Sequence, residues 1–163
     1  MIQTLREKLA QMGKSHCESA SLIGQEKGRA VKLTPSPRGE AIKIKVDDKD
    51  AEDRKVGLIT DTKKCDCLYF YALSNKRQAF LVELKGNNYR HALEQLAATK
   101  AHPNYQQLLN AVKPCKEKAV AIVSEKSYID RPNKEDWEEE NNIRLKVVPL
   151  ERDTTYDLIK DVS

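Results

Sequence analysis

The sequence predicts an α/β fold, with a central mixed β-sheet flanked by helices and a core order of αβββαβ. Three observations point there. Residues 65–73 and 78–85 are near-continuous apolar runs rich in aromatics, separated by the polar link Ser74-Asn75-Lys76-Arg77. Runs of this length read as central strands buried on both faces, and so short a link makes them an antiparallel hairpin. Before them, Ile42, Ile44 and Val46 alternate with Lys43, Lys45 and Asp47, the period of a strand with one wet face. After them come helical segments and a further apolar strand, residues 119–123. A chain of 163 residues is long enough for one core and short for two, so residues 1–163 are expected to form a single domain.

The elements follow in order. Thr4 and Glu7 make a capping-box pattern, Leu5, Leu9 and Met12 share a helical face, and Gly13 supplies a stop. Ser15 and Glu18 repeat the capping pattern and predict a second helical stretch through Leu22 and Ile23. Two prolines and a glycine make residues 33–39 a loop. The alternating strand follows, then a polar connection over 47–55 and a short strand over 56–59. Beyond the hairpin a helix runs over about 89–99, started by Asn87 or Asn88. A second helix, 103–112, carries proline at a tolerated early position. Residues 119–123 form a central strand, 134–141 an acidic surface helix, and 145–150 the strand that closes the sheet.

Charged residues make up 33% and hydrophobic residues 39% of the chain, which excludes a disordered or membrane-embedded class. No apolar run approaches the roughly 20 residues of a spanning helix, and the charged, amphipathic N-terminus lacks the pattern of a secretory signal. The expectation is a cytoplasmic protein without a membrane partner. A net charge of +4 permits a polyanionic partner without demanding one. Its distribution is polarised, with bases at Lys43, Lys45, Lys49, Arg54, Lys55, Lys63, Lys64, Lys76, Arg77, Lys85 and Arg90, and acids concentrated over 135–140. That pattern fits either one basic face or ordinary solvated surface. The four cysteines, Cys17, Cys65, Cys67 and Cys115, have no zinc-site spacing. Cys65 and Cys67 should lie on the strand face opposite Asp66 as small buried hydrophobes, with an iron–sulfur cluster of all four as the alternative.

The hairpin carries the chemistry. A turn at Asn75-Lys76 sets Asp66 opposite Lys85, whereas a shift of two residues sets Asp66 opposite Glu83. Either register leaves Asp66, Glu83 and Lys85 on one face at one end of the hairpin. The rest of that face, Leu68, Phe70, Ala79 and Leu81, is core material. Buried charges persist only when paired or when they coordinate a metal, so the cluster is either an ion pair of Lys85 with an acid or an active site.

An aspartate opening a strand, a hairpin, and then Val82-Glu83-Leu84-Lys85-Gly86 closing the next strand before a helix with Ala92-Leu93-Glu94-Gln95-Leu96 resembles the PD-(D/E)xK nuclease superfamily. The resemblance is best over residues 41–123. It departs at Cys65, where the name-giving pattern has proline. It implies a restriction endonuclease-like core and a divalent-metal-dependent nuclease that hydrolyses phosphodiester bonds, with DNA as the expected nucleic acid. Asp66, Glu83 and the Leu84 carbonyl would hold Mg²⁺ or Mn²⁺, an all-oxygen set suited to hard cations. Lys85 would orient or deprotonate the attacking water.

In such enzymes a third acid often comes from the first helical region, which here offers Glu18 or Glu26. Gln95, with His91 one turn before it, would touch the metal water or a phosphate; otherwise both are the polar flank of an amphipathic helix. Tyr69 and Tyr71 are expected in the core rather than as base-stacking platforms, and Trp137 as an anchor for its helix. Two further readings stay open: a structure-selective junction resolvase, dimeric as a duplex-cutting enzyme would be, and a catalytically silent relative that binds nucleic acid or protein.

Overall fold

The computed structural model describes residues 1–26, 28–47, 57–84, 88–124 and 130–163. Its larger sheet grows from the hairpin that the apolar runs announce. Strands β4 (Cys67–Leu73) and β5 (Lys76–Leu84) pair antiparallel, with Leu73 opposite Lys76, so only Ser74 and Asn75 remain in the turn. Ser74 adopts a φ of 54° to make that reversal. Strand β3 (Glu40–Lys45) adds antiparallel to β4, while β6 (Lys116–Val123) and β7 (Arg144–Pro149) add in parallel on the far side of β5. The order is β3-β4-β5-β6-β7. The parallel steps need crossovers, and helices supply them. Helices α2 (Tyr89–Ala101) and α3 (Pro103–Ala111) join β5 to β6, and α4 (Arg131–Asn141) joins β6 to β7.

Helix α1 (Ile2–Gln11) buries Ile2, Leu5 and Leu9. It begins one turn earlier than the Thr4–Glu7 pattern implies, with Met1 as an N-cap that makes no side-chain bond. Asn88 does cap α2, accepting the His91 N–H at 3.2 Å; Asn87 lies outside the described residues. Along β4 and β5, side chains divide by parity. Leu68, Phe70, Ala79 and Leu81 face a core shared with Leu5, Leu9, Ala92, Leu96, Leu108 and Trp137, drawn from α1, α2, α3 and α4. Tyr69, Tyr71, Phe80 and Val82 face the opposite way, into a second core with Val31, Leu33 and Leu158. Tyr69 and Tyr71 are thus core residues, as their place in a central strand requires.

The second core is closed by a structure that the sequence reading does not contain. Strands β1 (Ile23–Glu26), β2 (Arg29–Lys32) and β8 (Thr154–Asp157) form a small sheet in the order β1-β2-β8. β1 and β2 are an antiparallel hairpin, whereas β2 and β8 run parallel, with Arg29 opposite Thr154 and Lys32 opposite Asp157. The α/β class therefore holds, but the central sheet is not flanked by helices on both faces. Helices cover one face, and the small sheet with a 3-10 turn (Leu158–Asp161) covers the other.

The second helical stretch also fails to form. Only a 3-10 turn (Ser15–Cys17) follows α1, because the chain then pairs with β3: Glu18 bridges Ile44, and Ser19 N–H donates to the Lys43 carbonyl at 2.9 Å. The short strand expected over 56–59 is absent from its described part. Gly57 to Ile59 run alongside β3, with Leu58 and Ile59 donating to Lys45 and Val46, and Val56 lies outside the described residues. Among the described residues no helix is long and apolar enough to cross a membrane.

Candidate metal centre

Asp66 stands one residue before β4. Continuing the β4–β5 register by one pair sets it directly across from Glu83, so of the two registers left open by the sequence the chain adopts the one with the acids opposed. The backbone of Asp66 is held from both sides. Its N–H donates to the Val82 carbonyl at 3.1 Å, and its carbonyl accepts from Val46 and Asp47 at 3.3 and 3.4 Å. The side chain is oriented as well, since Oδ2 accepts the Leu84 N–H at 2.8 Å. Ties of this kind fix a carboxylate within a fraction of an ångström, which a metal site or catalytic site requires.

Glu83 is fully buried, in the middle of a sheet whose neighbouring positions are Leu81 and Ala121. Glu26, at the end of β1, is the third member. One carboxylate oxygen from each of Glu26, Asp66 and Glu83 lies within 4.8 Å of the other two. The two alternatives for a third acid are thereby separated. Glu18 is committed elsewhere, in a forked pair with Arg6 at 2.9 to 3.1 Å. Glu26 is delivered by a strand, not by the helical region that the sequence suggests. Lys85, the remaining member of the predicted trio, lies outside the described residues.

The thiols on either side of Asp66 split between the two cores. Cys67 faces the small sheet, as expected, but Cys65 lies in the helix-side core, because the strand begins only at Cys67 and alternation does not extend back to it. Burial raises both thiols, Cys65 well above its ordinary value and Cys67 to about 12, where nearby Lys43 opposes the rise. Both are protonated at neutral pH and unsuited to bind a soft metal without cost. All four cysteines are free.

Helix α2 is bonded to this corner through Thr99, whose hydroxyl accepts the Cys65 N–H at 2.8 Å and donates to the Gln95 carbonyl at 2.9 Å. Gln95 itself has its side-chain oxygen buried with no hydrogen-bond partner among the described residues. His91, four residues earlier, is exposed, so the two predicted flank residues do not share an environment. Trp137 anchors α4 as expected, donating from Nε1 to the Leu93 carbonyl at 3.3 Å. Several of the bases that suggested a basic face have structural partners instead: Lys63 pairs with Glu94 at 2.6 Å, Arg77 donates to the Val112 carbonyl at 2.8 Å, and Lys43 donates to the Ile23 carbonyl at 2.7 Å. Lys49, Arg54 and Lys55 lie outside the described residues.

Elsewhere, a histidine and an aspartate meet without forming a catalytic base. His102 approaches Asp61 Oδ1 through Nε2 at 2.8 Å, but its Nδ1 accepts the Asn104 N–H at 3.0 Å as the cap of α3. Both ring nitrogens are occupied. The Lys100–Glu117–Tyr105 cluster is likewise self-contained, with Glu117 Oε1 accepting from both partners at 2.7 Å. What distinguishes the Glu26–Asp66–Glu83 corner is that it brings three carboxylates together at the mouth of the central hairpin. Set against protein-family models, curated proteins and solved structures, the chain matches none of them.

Proposed function

We propose that the chain is a divalent-cation-dependent nuclease of the PD-(D/E)xK type, with Asp66, Glu83 and Glu26 holding Mg²⁺ or Mn²⁺. The observation that carries the reading is the convergence of three carboxylates within 4.8 Å, on a corner that includes a fully buried glutamate. Three carboxylates this close offer the all-oxygen donor set that suits a hard cation. The strand arrangement supports the same reading. An antiparallel β3-β4-β5 meander followed by a helical crossover to parallel β6 is consistent with the αβββαβ order expected of a restriction endonuclease-like core, here with the small sheet added.

When bound, the cation supplies an acidified water and charge stabilisation for the phosphoryl group. The chain's own groups do the rest. Asp66, its orientation set by the Leu84 N–H, and Glu83, immobilised in β5, give the cation a rigid floor. Glu26 closes the set from the neighbouring layer. Lys85, next in sequence after Leu84, orients the attacking water and offsets charge in the transition state, and Gln95 orients water from α2. DNA is the expected substrate. A plasmid-nicking assay with Mg²⁺ or Mn²⁺ tests the reading: cleavage should vanish with EDTA and in Glu83→Gln and Asp66→Asn. Cleavage that persists in both variants would overturn it.

A further inference from the structure

Glu26 comes to the acid cluster from a different layer than its two companions, so its position depends on how β1 is held against the large sheet. Gly24 permits the approach. A Cβ there would lie 3.3 Å from Val31 Cγ1 and 3.6 Å from both Cys67 Sγ and Tyr69 Oη, so the strand's backbone rests close on β4. Side chains alternate, and Glu26 therefore leaves β1 on the same side as Gly24, two residues further toward the end of the sheet where Asp66 stands.

Two side chains of the large sheet grip the start of this strand. Lys43 donates from Nζ to the Ile23 carbonyl at 2.7 Å, and the Tyr69 hydroxyl donates to the Leu22 carbonyl at 2.9 Å. Lys43 and Tyr69 are direct partners across β3 and β4, so the grip comes from one rung of the ladder. The Lys43 backbone joins it by accepting Ser19 N–H. Consecutive carbonyls at the head of β1 are thus fastened about 10 Å before Glu26, at roughly 3.3 Å per strand residue.

We propose that Lys43 is a positioning residue for the cation site: by holding Ile23 it fixes β1 so that Glu26 reaches Asp66 and Glu83. The inference rests on the metal reading above and adds a residue of β3 to it. Lys43 is too far along the strand path to be counted as a ligand, and ammonium is no ligand in any case. Its effect runs through Glu26, which sets a condition that its charge alone would not meet.

The test is Mn²⁺ binding to the full chain by isothermal titration calorimetry, with melting temperature as a check of folding. Lys43→Met keeps the apolar stem and should weaken Mn²⁺ about tenfold, the scale of losses when a support behind a metal ligand is removed, while Lys43→Arg should stay within about threefold. In a Glu26→Gln background, Lys43→Met should cost nothing further. Tyr69→Phe, which keeps the ring and removes the hydroxyl's bonds to the Leu22 and Val31 carbonyls, should behave as Lys43→Met does, and it decides the matter should Lys43→Met fail to fold. Unchanged affinity in the variants of a protein that binds Mn²⁺ would overturn the positioning role, as would an equal loss in the Glu26→Gln background, which would assign the effect to the charge. A wild-type chain that binds no Mn²⁺ would remove the metal reading itself, and the positioning role with it.

Discussion

Replacing Glu83 with glutamine keeps the shape of the side chain and removes one charge from three carboxylates whose oxygens lie within 4.8 Å of one another. At that separation two unit charges repel by about 3.5 kcal/mol at an effective dielectric of about 20, and by about 0.9 kcal/mol in bulk water. Glu83 is fully buried, but Asp66 and Glu26 are half-buried, so water screens each pair toward the lower figure. Glu83→Gln should therefore leave the metal-free protein as stable as wild type, or more stable by up to about 1 kcal/mol. Metal reverses the ranking. At a hundredfold excess over Kd, linkage adds about 2.7 kcal/mol to wild type, which for a chain of this size is about 5–10 °C in melting temperature. Thermal melts with and without Mn²⁺ should show that rise in wild type and none in Glu83→Gln. Were Glu83 only the ion-pair partner of Lys85, the same substitution would strand an ammonium and cost about 1–3 kcal/mol, with no response to metal. Equal metal-induced shifts in the two proteins would refute the assignment of Glu83 as a ligand.

Lys85→Ala should retain the Mn²⁺-induced rise in melting temperature yet lose most of the cleavage rate, which single-turnover nicking would measure. All four thiols should titrate with a chromogenic disulfide in denaturant and the protein should be colourless; in the native state at pH 8 only Cys115, half-buried and raised to about 11, should react at all, and slowly. Burial would raise Asp157, but hydrogen bonds from Thr34 and Ile159 outweigh it and hold the carboxyl below its ordinary 3.8. A lowered carboxyl contributes stability that is complete above its unfolded value and lost as pH falls through its folded one, so Asp157→Asn should cost about 1 kcal/mol near pH 7 and progressively less below pH 4, read from urea midpoints across pH. Ser74→Gly should raise stability by about 0.5–1 kcal/mol, because the turn holds Ser74 at a φ of 54° that glycine adopts freely; an unchanged urea midpoint would count against that account of the turn.

The hairpin was legible because its signal is dense. Two aromatic-rich runs and a short polar link leave few alternatives, and the period of two assigns Asp66 and Glu83 to one face whatever the register. The register itself was not legible, since Ser74-Asn75 and Asn75-Lys76 are both acceptable turns and the choice between them rests on how β3 and β6 fit on either side. The small sheet left little trace. Its strands are four residues each, Ile-Gly-Gln-Glu, Arg-Ala-Val-Lys and Thr-Thr-Tyr-Asp, with at most two apolar side chains apiece, so no period emerges. Ser15 and Glu18 look like a helix start, yet the chain finds better partners in the β3 backbone. Hence Glu26 was visible only as one of two acids. What would have separated them is Gly24, a bare position two residues before Glu26 where a strand can lie directly on another layer. Lys43 read as the wet face of β3 for the same reason: the layer that covers it comes from residues with no apolar pattern.

The parallel pairing of β2 with β8 has a consequence for the order in which the molecule is made. Strand β2 holds the hairpin whose other arm ends at Glu26, and its outer partner is supplied by residues more than a hundred positions later. During synthesis Asp66 and Glu83 can meet as soon as their hairpin leaves the ribosome, because their strands are neighbours in the sequence. The sheet that carries Glu26 has to wait for Thr154–Asp157 before its last strand is in place. A nascent chain would thus carry two of these three carboxylates together well before the strand that completes the sheet of the third is made.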